Sequence, residues 1–367
     1  MTETPSRKPL ENAKRIVVKI GSRAIVGDTP DGRFASLAGQ IADLYKSGRT
    51  VILVSSGAVA MGCRRLGRTA RPKLIPELQA AAAIGQPLLL QAYEAAFSAH
   101  GLHAAQVLIT HAEVANRQRY LNARAAMDAM TELGAVPIIN ENDTVSTEEL
   151  QFGDNDQLAA MVAPLAGADL LVLLTDVEGL LDPNKQRISV VSDIDAAMRL
   201  IWPKDNALSM GGMASKLGAA RRACQVGVPV VIGPARDPDV LRKIANGDDC
   251  GTLFLPAGTA LASRKYWIAY TLKMAGTLVV DAGAQRALTE ANRSLLPAGI
   301  VAVQGAFRAG DAVSIVGQDG RELARGLTRY DARDVQKLLG ARSEQIEQRL
   351  GFYSGDEIVH RDDLVVL

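Results

Sequence analysis

Six short apolar runs, each rich in Val, Ile and Leu, recur between residues 15 and 255, separated by longer stretches of helical periodicity. Because the runs do not alternate with polar residues, we expect strands covered on both faces, as in parallel sheets with crossover helices. The pattern predicts a three-layer α/β/α sandwich with a mainly parallel sheet. The predicted strands are Arg15–Ile20, Thr50–Val54, His103–Leu108, Ala135–Ile139, Leu170–Leu174 and Pro229–Ile232.

An Ala-rich stretch, Glu77–His100, is the longest predicted helical segment. Pro87 lies inside it, and a proline there removes a backbone donor and clashes with the preceding turn. We therefore expect Pro87 either to kink this helix or to begin a second one.

The pattern changes after about residue 262, where short strands punctuated by glycine replace the Ala-rich helical stretches. This indicates a small β-rich second domain, and we predict domains at residues 1–262 and 276–367. Its predicted strands are Thr277–Val280, Ile300–Gln304, Ala312–Val316, Leu323–Leu327 and Asp363–Leu367, with helices at Ala332–Leu339 and Ser343–Leu350.

Charge and hydropathy argue against several classes of protein. The formal net charge is +1, and residues 276–367 carry eleven basic and thirteen acidic side chains, so a polyanion finds no large basic field. No signal peptide or membrane-spanning run is evident, which predicts a cytoplasmic protein. The three cysteines share no metal-ligand spacing and are expected to be reduced thiols.

Two of the predicted strands end in small polar residues. The first ends Val17-Val18-Lys19-Ile20-Gly21-Ser22, and the second ends Val54-Ser55-Ser56-Gly57. A lysine beside a glycine turn can present a cation and backbone N–H groups to phosphate, although this element taken alone favours a lysine that reaches solvent at a strand end. The carboxyl ends of parallel strands are where such sheets bind ligands, and a plain serine helix cap is the alternative for Ser56.

A third segment is strongly acidic: residues 141–156 contain six carboxylates and no Lys or Arg. A solvated acidic hairpin, a divalent-metal site and a site for the ammonium group of a small substrate all remain open on this evidence.

Two further segments resemble half of a nucleotide site. Thr175 and Asp176 follow a predicted strand, and Met210-Gly211-Gly212-Met213-Ala214-Ser215-Lys216 enters a helix. Glycines allow close backbone approach, and a helix N-terminus together with a lysine favours phosphate. A mobile surface turn is the alternative for the glycine pair.

Taken in order, VVKIGS, VSSGAVAMG, INENDTVSTEELQFGDND, LLTDVEGL and GGMASK resemble the motifs of the amino acid kinase family. The segments SLLPAGIVAVQGAFRAGDAVSIV and RGLTRYD resemble a PUA domain, which many bacterial members of that family carry behind the catalytic domain. The resemblance implies an amino acid kinase fold and ATP-dependent phosphorylation of the side-chain carboxylate of L-glutamate, the first step of proline biosynthesis. It also implies Mg²⁺ with the nucleotide, a homo-oligomer, and transfer of the product to glutamyl phosphate reductase.

By the same resemblance, Lys19 and Lys216 are expected to contact the transferring phosphoryl group, with Asp156 holding both. The expected glutamate-binding residues are Ser56, Asp143, Asn155, Asn140 and Asp154. The expected nucleotide-binding residues are Lys19, Thr175, Asp176, Met210, Gly211, Gly212, Met213, Ala214, Ser215 and Lys216. The segment between Gly179 and Gly211 is shorter than in typical members, which affects the nucleotide loop rather than the chemistry.

Other acceptors and another class of function compete with this interpretation. N-acetylglutamate and aspartate are acceptors within the same family, but N-acetylglutamate has no free ammonium group for the acidic segment to bind. PUA domains are also common in proteins that act on RNA. The acidic balance of residues 276–367 argues against that role.

Overall fold

The computed structural model describes residues 7–26, 30–110, 113–114, 116–146, 155–201, 212–256, 265, 268–269, 272 and 274–367. The chain divides into two compact units, Met1–Ala260 and Leu261–Leu367. Within the described part of the chain, no helix combines the length and apolar character needed to cross a membrane.

An eight-stranded sheet forms the centre of the N-terminal unit, in the order β3-β4-β2-β1-β5-β7-β8-β6. Every neighbouring pair is parallel except β7 with β8, which is antiparallel. The strands are β1 Arg15–Ile20, β2 Thr50–Ser55, β3 His103–Ile109, β4 Ala135–Glu141, β5 Leu170–Thr175, β6 Val190–Val191, β7 Val230–Pro234 and β8 Thr252–Phe254.

Helices cover both faces of this sheet. The helices are α1 Ser22–Ile25, α2 Pro30–Lys46, α3 Ala58–Arg65, α4 Ile75–Ser98, α5 Arg117–Glu132, α6 Asn155–Leu165, α7 Ile194–Ile201, α8 Met213–Gln225 and α9 Val240–Ala245, with a 3-10 turn at Lys8–Asn12. Ile16, Val18 and Ile20 of β1 pack into one core with apolar residues of α2, α4 and α9. The residues that alternate with them, including Lys19, face α6 on the other side of the sheet.

The predicted α/β class is confirmed, and all six predicted strands form, most of them extending one or two residues further than expected. The expectation that every strand is covered on both faces is wrong for β3, which lies at the sheet edge and has several exposed positions. The short strands β6 and β8 were not predicted. They contain only two and three residues, too few for a periodic signal.

Of the two alternatives expected for Pro87, a kink or the start of a second helix, the second is wrong: α4 is one helix from Ile75 to Ser98. Helix α4 also packs closely against α3. A Cβ placed on Gly85 would stand 1.8 Å from the Ala58 carbonyl oxygen, and one on Gly62 would stand 1.8 Å from the Ala81 carbonyl oxygen. The two helix backbones therefore touch at these glycines, and the contact sets the position of the turn that leads from β2 into α3.

The C-terminal unit is built on a five-stranded sheet in the order β10-β9-β11-β12-β13. Strands β9 and β11 are parallel and the other pairs antiparallel. Its elements are β9 Gly276–Val280, α10 Ala282–Thr289, β10 Ile300–Gly305, β11 Ala312–Gly317, β12 Glu322–Thr328, α11 Ala332–Lys337, α12 Ile346–Leu350 and β13 Val359–Val366, with 3-10 turns at Pro297–Gly299 and Ser343–Gln345. The predicted β-rich character is confirmed, whereas α10 was not predicted.

We expect Gly85→Ala to lower the free energy of unfolding of the N-terminal unit by about 3 kcal/mol, the upper end of overpacking effects, because a backbone carbonyl cannot move aside as a side chain can. Gly39→Ala in α2 is the matched control. Its added Cβ would meet only His100, at 3.8 Å. We expect Gly39→Ala to raise the free energy of unfolding by about 0.5–1 kcal/mol, because glycine inside a helix is less stable than alanine. Urea unfolding followed by circular dichroism measures both, and equal stability of the two variants would contradict the prediction.

Candidate active site

Polar side chains gather at the carboxyl ends of the central strands, where a parallel sheet opens toward solvent. Lys19 is the penultimate residue of β1, Ser56 follows β2, Asn140 lies near the end of β4, and Thr175 ends β5. The first turns of α6 and α8 bring Asp156 and Lys216 to the same edge.

One buried carboxylate joins two lysines from different parts of the chain. The Lys19 Nζ lies 2.5 Å from Asp156 Oδ1, and the Lys216 Nζ lies 2.9 Å from Asp156 Oδ2. The Asp156 side chain has no exposed surface, and the two lysine side chains are 7% and 8% exposed. Two ammonium groups are thus fixed side by side with one carboxylate between them, leaving one net positive charge. An anion brought to this point meets two fixed cations that need no rearrangement.

Asn155, the neighbour of Asp156, organises a second cluster. Its Nδ2 donates to the Ser55 carbonyl oxygen and to Ser56 Oγ, each at 2.9 Å, and to Asn140 Oδ1 at 3.1 Å. Asn140 in turn donates to Gln86 Oε1 of α4 at 2.8 Å. The carboxamides of Asn155 and Asn140 are therefore held in fixed orientations beside the Ser56 hydroxyl.

A cavity next to this cluster carries both signs of charge. Ser22, Ser56, Gly57, Arg71, Asp143 and Asn155 are among its lining residues. Gly57 has a φ of +123°, and a Cβ there would meet Val26 Cγ2 at 2.8 Å, so this turn requires glycine. Burial raises the pKa of Asp143 to about 6, against the opposing effect of the Arg71 guanidinium. The cavity thus offers a carboxylate and a guanidinium to a ligand.

On the other side of Lys19, the end of β5 meets the start of α8. Burial opposes ionisation of Asp176. Even so, hydrogen bonds from its own backbone and from Thr175, together with the charges of Arg23 and Lys216, lower the pKa of this carboxyl. Gly212 precedes α8 and offers no side-chain acceptor to the first turn of this helix. The N-terminal end of a helix carries a partial positive charge, which suits an anionic ligand. Lys216 follows directly in the same helix.

The structure brings most of the predicted site residues to one edge of the sheet. Asp154, Met210 and Gly211 lie outside the described residues, as does most of the acidic segment before Asn155. Arg71 and Gln86 were missed by the sequence analysis. Each lies outside the recognised motifs and reaches the site only through the loop before α4 or through α4 itself, so no local pattern marked them.

The described residues contain no group of three or more His, Cys, Asp or Glu placed to hold a metal ion. Of the carboxylates near Lys19, Asp156 is engaged by both lysines, while Asp176 lies 3.6 Å from Arg23 and has an exposed side chain.

Comparison with known proteins agrees with this arrangement. The amino acid kinase family matches residues 14–234, and the PUA domain family matches residues 276–350. The chain therefore belongs to the amino acid kinase family and carries a PUA domain behind the kinase unit.

Similarity to curated relatives extends over nearly the whole chain. A glutamate 5-kinase of Trichlorobacter lovleyi is 46% identical over 98% of both chains. Glutamate 5-kinases of Thioalkalivibrio sulfidiphilus and Geobacter sulfurreducens are each 47% identical, covering 99% and 98% of this chain and 100% and 99% of their own.

The pKa of Asp143 is raised in the folded protein, so ionised Asp143 lowers the free energy of unfolding at high pH. The native state holds the proton more tightly than the unfolded state, so stability falls as pH rises from about 4 to 6 and is level above. We expect Asp143→Asn to raise the free energy of unfolding by roughly 2 kcal/mol at pH 8 and to leave it unchanged near pH 4.

Unfolding titrations at several pH values measure this difference. Asp43→Asn, which removes an exposed carboxylate paired only with exposed Lys46, is the control and should change stability by less than about 1 kcal/mol. A stability gain for Asp143→Asn that is the same at pH 4 and pH 8 would show that ionisation is not its cause.

Proposed function

We propose that this protein transfers the γ-phosphoryl group of ATP to the side-chain carboxylate of L-glutamate, forming L-glutamyl 5-phosphate, and that Lys19, Lys216 and Asp156 carry the reaction. One observation supports the proposal above the others: two lysines fixed on one buried carboxylate, beside a cavity lined by a carboxylate, a guanidinium and oriented carboxamides. The relatives named glutamate 5-kinase match 98% and 99% of this chain, which supports the choice of acceptor.

The obstacle in this reaction is electrostatic, because an anionic acceptor must approach an anionic triphosphate. A side-chain carboxylate with a pKa near 4 is already ionised at neutral pH, so the acceptor needs no general base. Phosphoryl transfer is then a matter of positioning and of cations matched to the charge on the moving group. Lys19 and Lys216 supply those cations in a site largely closed to solvent.

Asp156 acts through the two lysines. Without it, two ammonium groups this close would repel each other and move apart, and their charges would no longer converge on the phosphoryl group. Its hydrogen-bonded geometry is set before any substrate arrives, so no reorganisation is needed during the transfer.

The cavity around Asn155 suits the two ends of glutamate. Asp143 would pair with the α-ammonium group and the Arg71 guanidinium with the α-carboxylate, which directs the side-chain carboxylate toward Lys19. Ser56, Asn155 and Asn140 would hold the acceptor, with Asp154 close by in sequence. N-acetylglutamate would lose the Asp143 contact, and aspartate would be one methylene too short to reach while keeping both α-groups in place.

The nucleotide would lie across Thr175, Asp176 and the segment from Met210 to Lys216. The N-terminal end of α8 and the turn at Gly21, which follows Lys19 and Ile20 at the end of β1, suit its phosphates. Mg²⁺ would arrive with the nucleotide and neutralise part of the phosphate charge. We also propose that the protein works in the cytoplasm as a homo-oligomer and passes its product to a reductase.

We expect purified protein with ATP, Mg²⁺ and L-glutamate to yield an acyl phosphate that hydroxylamine traps as the hydroxamate. Lys216→Ala should slow the reaction roughly a hundredfold, about 3 kcal/mol, as expected when one preorganised cation is lost. Lys46→Ala, which removes an exposed lysine of α2, is the matched control and should keep full activity.

Parallel assays with N-acetylglutamate and L-aspartate test the choice of acceptor. Hydroxamate formation from either of these in preference to glutamate would overturn the proposed acceptor while leaving the family unchanged.

If Arg71 binds the α-carboxylate, Arg71→Met should raise KM for glutamate roughly tenfold, the lower end for a lost charge-assisted hydrogen bond at an exposed side chain, with little change in kcat. Arg65→Met removes a nearby exposed arginine of α3 and serves as the control. Steady-state kinetics at saturating ATP measures both. An unchanged KM for Arg71→Met would exclude this role.

A further inference from the structure

A second cavity lies at the same edge of the sheet but on its opposite face. It encloses about 290 Å³. Ile20 and Leu174, which line it, belong to the apolar core shared with α2, whereas Lys19 and Leu173 point to the face that carries Asp156. This cavity is therefore separated by the sheet from the buried lysine pair.

Two guanidinium groups, those of Arg33 and Arg236, line this cavity. Neither Arg33 nor Arg236 forms an ion pair within the described ranges, and the Nε of Arg33 is buried without a hydrogen-bond partner. The carboxylates that follow Arg236 in sequence are already engaged. Asp237 Oδ2 lies 2.6 Å from Lys243 Nζ, and Asp239 Oδ2 lies 3.3 Å from Arg242.

The remaining polar groups of the wall are also donors. Gln40 accepts a hydrogen bond from the Leu241 backbone N–H at 3.0 Å through Oε1, which leaves its amide nitrogen as a donor. Ser36 adds a hydroxyl, and Gly32 and Arg33 lie in the first turn of α2, a helix of 17 residues. A helix N-terminus carries a partial positive charge that adds to that of the two arginines.

The positive charges and hydrogen-bond donors that line this cavity favour the binding of an anion. Two like charges facing one cavity repel each other, and the buried Nε–H of Arg33 has lost its hydration without gaining an acceptor among the described residues. Guanidinium forks match the geometry of phosphate oxygens, and two of them balance a dianion. The volume lies at the lower limit for ligand cavities, which restricts the ligand to a small molecule.

We propose that this cavity binds a small phosphate dianion, either inorganic phosphate or a short phosphate monoester, between Arg33 and Arg236. Ala24 of α1 also lines the wall, so a bound anion would touch the helix that begins directly after Gly21. The site is separate from the proposed transfer of phosphoryl groups, and it needs no turnover to be detected.

The experiment measures phosphate binding to the full-length Lys216→Ala protein, in which the other phosphate-binding point is weakened. Inorganic phosphate and glycerol 3-phosphate are titrated separately and followed by ³¹P NMR, with thermal unfolding as a second readout. We expect saturable binding that Arg236→Gln and Arg33→Gln each weaken roughly tenfold or more, since each removes a charge-assisted hydrogen-bond pair. Arg65→Gln, an exposed arginine elsewhere, should leave binding unchanged.

Two further observations separate a binding role from a structural one. In phosphate-free buffer, Arg33→Gln and Arg236→Gln should unfold at the same temperature as the parent or higher, because each relieves repulsion. Arg236→Lys should recover part of the affinity. A lowered unfolding temperature without phosphate would assign these arginines a structural role and overturn the proposal.

The proposal is also overturned if neither compound binds or if binding is indifferent to both arginines. Displacement of phosphate by Mg-ADP would assign the arginines to the nucleotide site and overturn it as well. Preference for the ester over inorganic phosphate would identify the source of the ligand within the proposed class.

Discussion

The candidate active site depends on the two ion pairs that the Asp156 carboxylate forms with Lys19 and Lys216. It is fully buried, and it binds one lysine from β1 and one from α8 while belonging itself to α6. Removing three charged groups from water is costly, and their mutual attraction offsets that cost only with close geometry. The two lysines and one carboxylate leave a net positive charge at the carboxyl edge of the sheet, and a bound anion would neutralise that charge. The surplus positive charge is thus held in place by the same contacts that join β1, α6 and α8.

The α/β layers of the N-terminal unit were predictable because its six longer strands and most helices are marked by a local hydrophobic pattern in the sequence. Leu170–Leu174 is apolar throughout, and Arg15–Ile20 is apolar apart from Arg15 and Lys19; such runs are typical of strands inside a covered sheet. The two lysines and Asp156 were recognisable because each stands in a motif of adjacent residues. The same motifs predicted Asn155, Asn140 and Ser56 as residues of one site, but not the hydrogen bonds among them.

Other features depend on contacts between distant segments and leave no local trace. Arg71 lines the same cavity as Asp143, a residue far along the chain, through a loop with no regular periodicity. The antiparallel strand β8 has three residues and is recognisable only from its pairing with β7. Pro87 is tolerated within α4 where Gly62 and Gly85 let two helix backbones touch. Single-residue propensities cannot report such a contact.

Asn155 and Asp156 are consecutive residues in the first turn of one helix, yet one organises the cavity beside Ser56 and the other fixes the two lysines. A single peptide bond therefore couples both halves of the site mechanically. Any tilt or rotation of α6 that reshaped one half would displace the other by a similar amount. Divergence toward a new acceptor would consequently leave this helix alone and proceed through the loops that carry Arg71 and Asp143, which can change shape without moving the lysines.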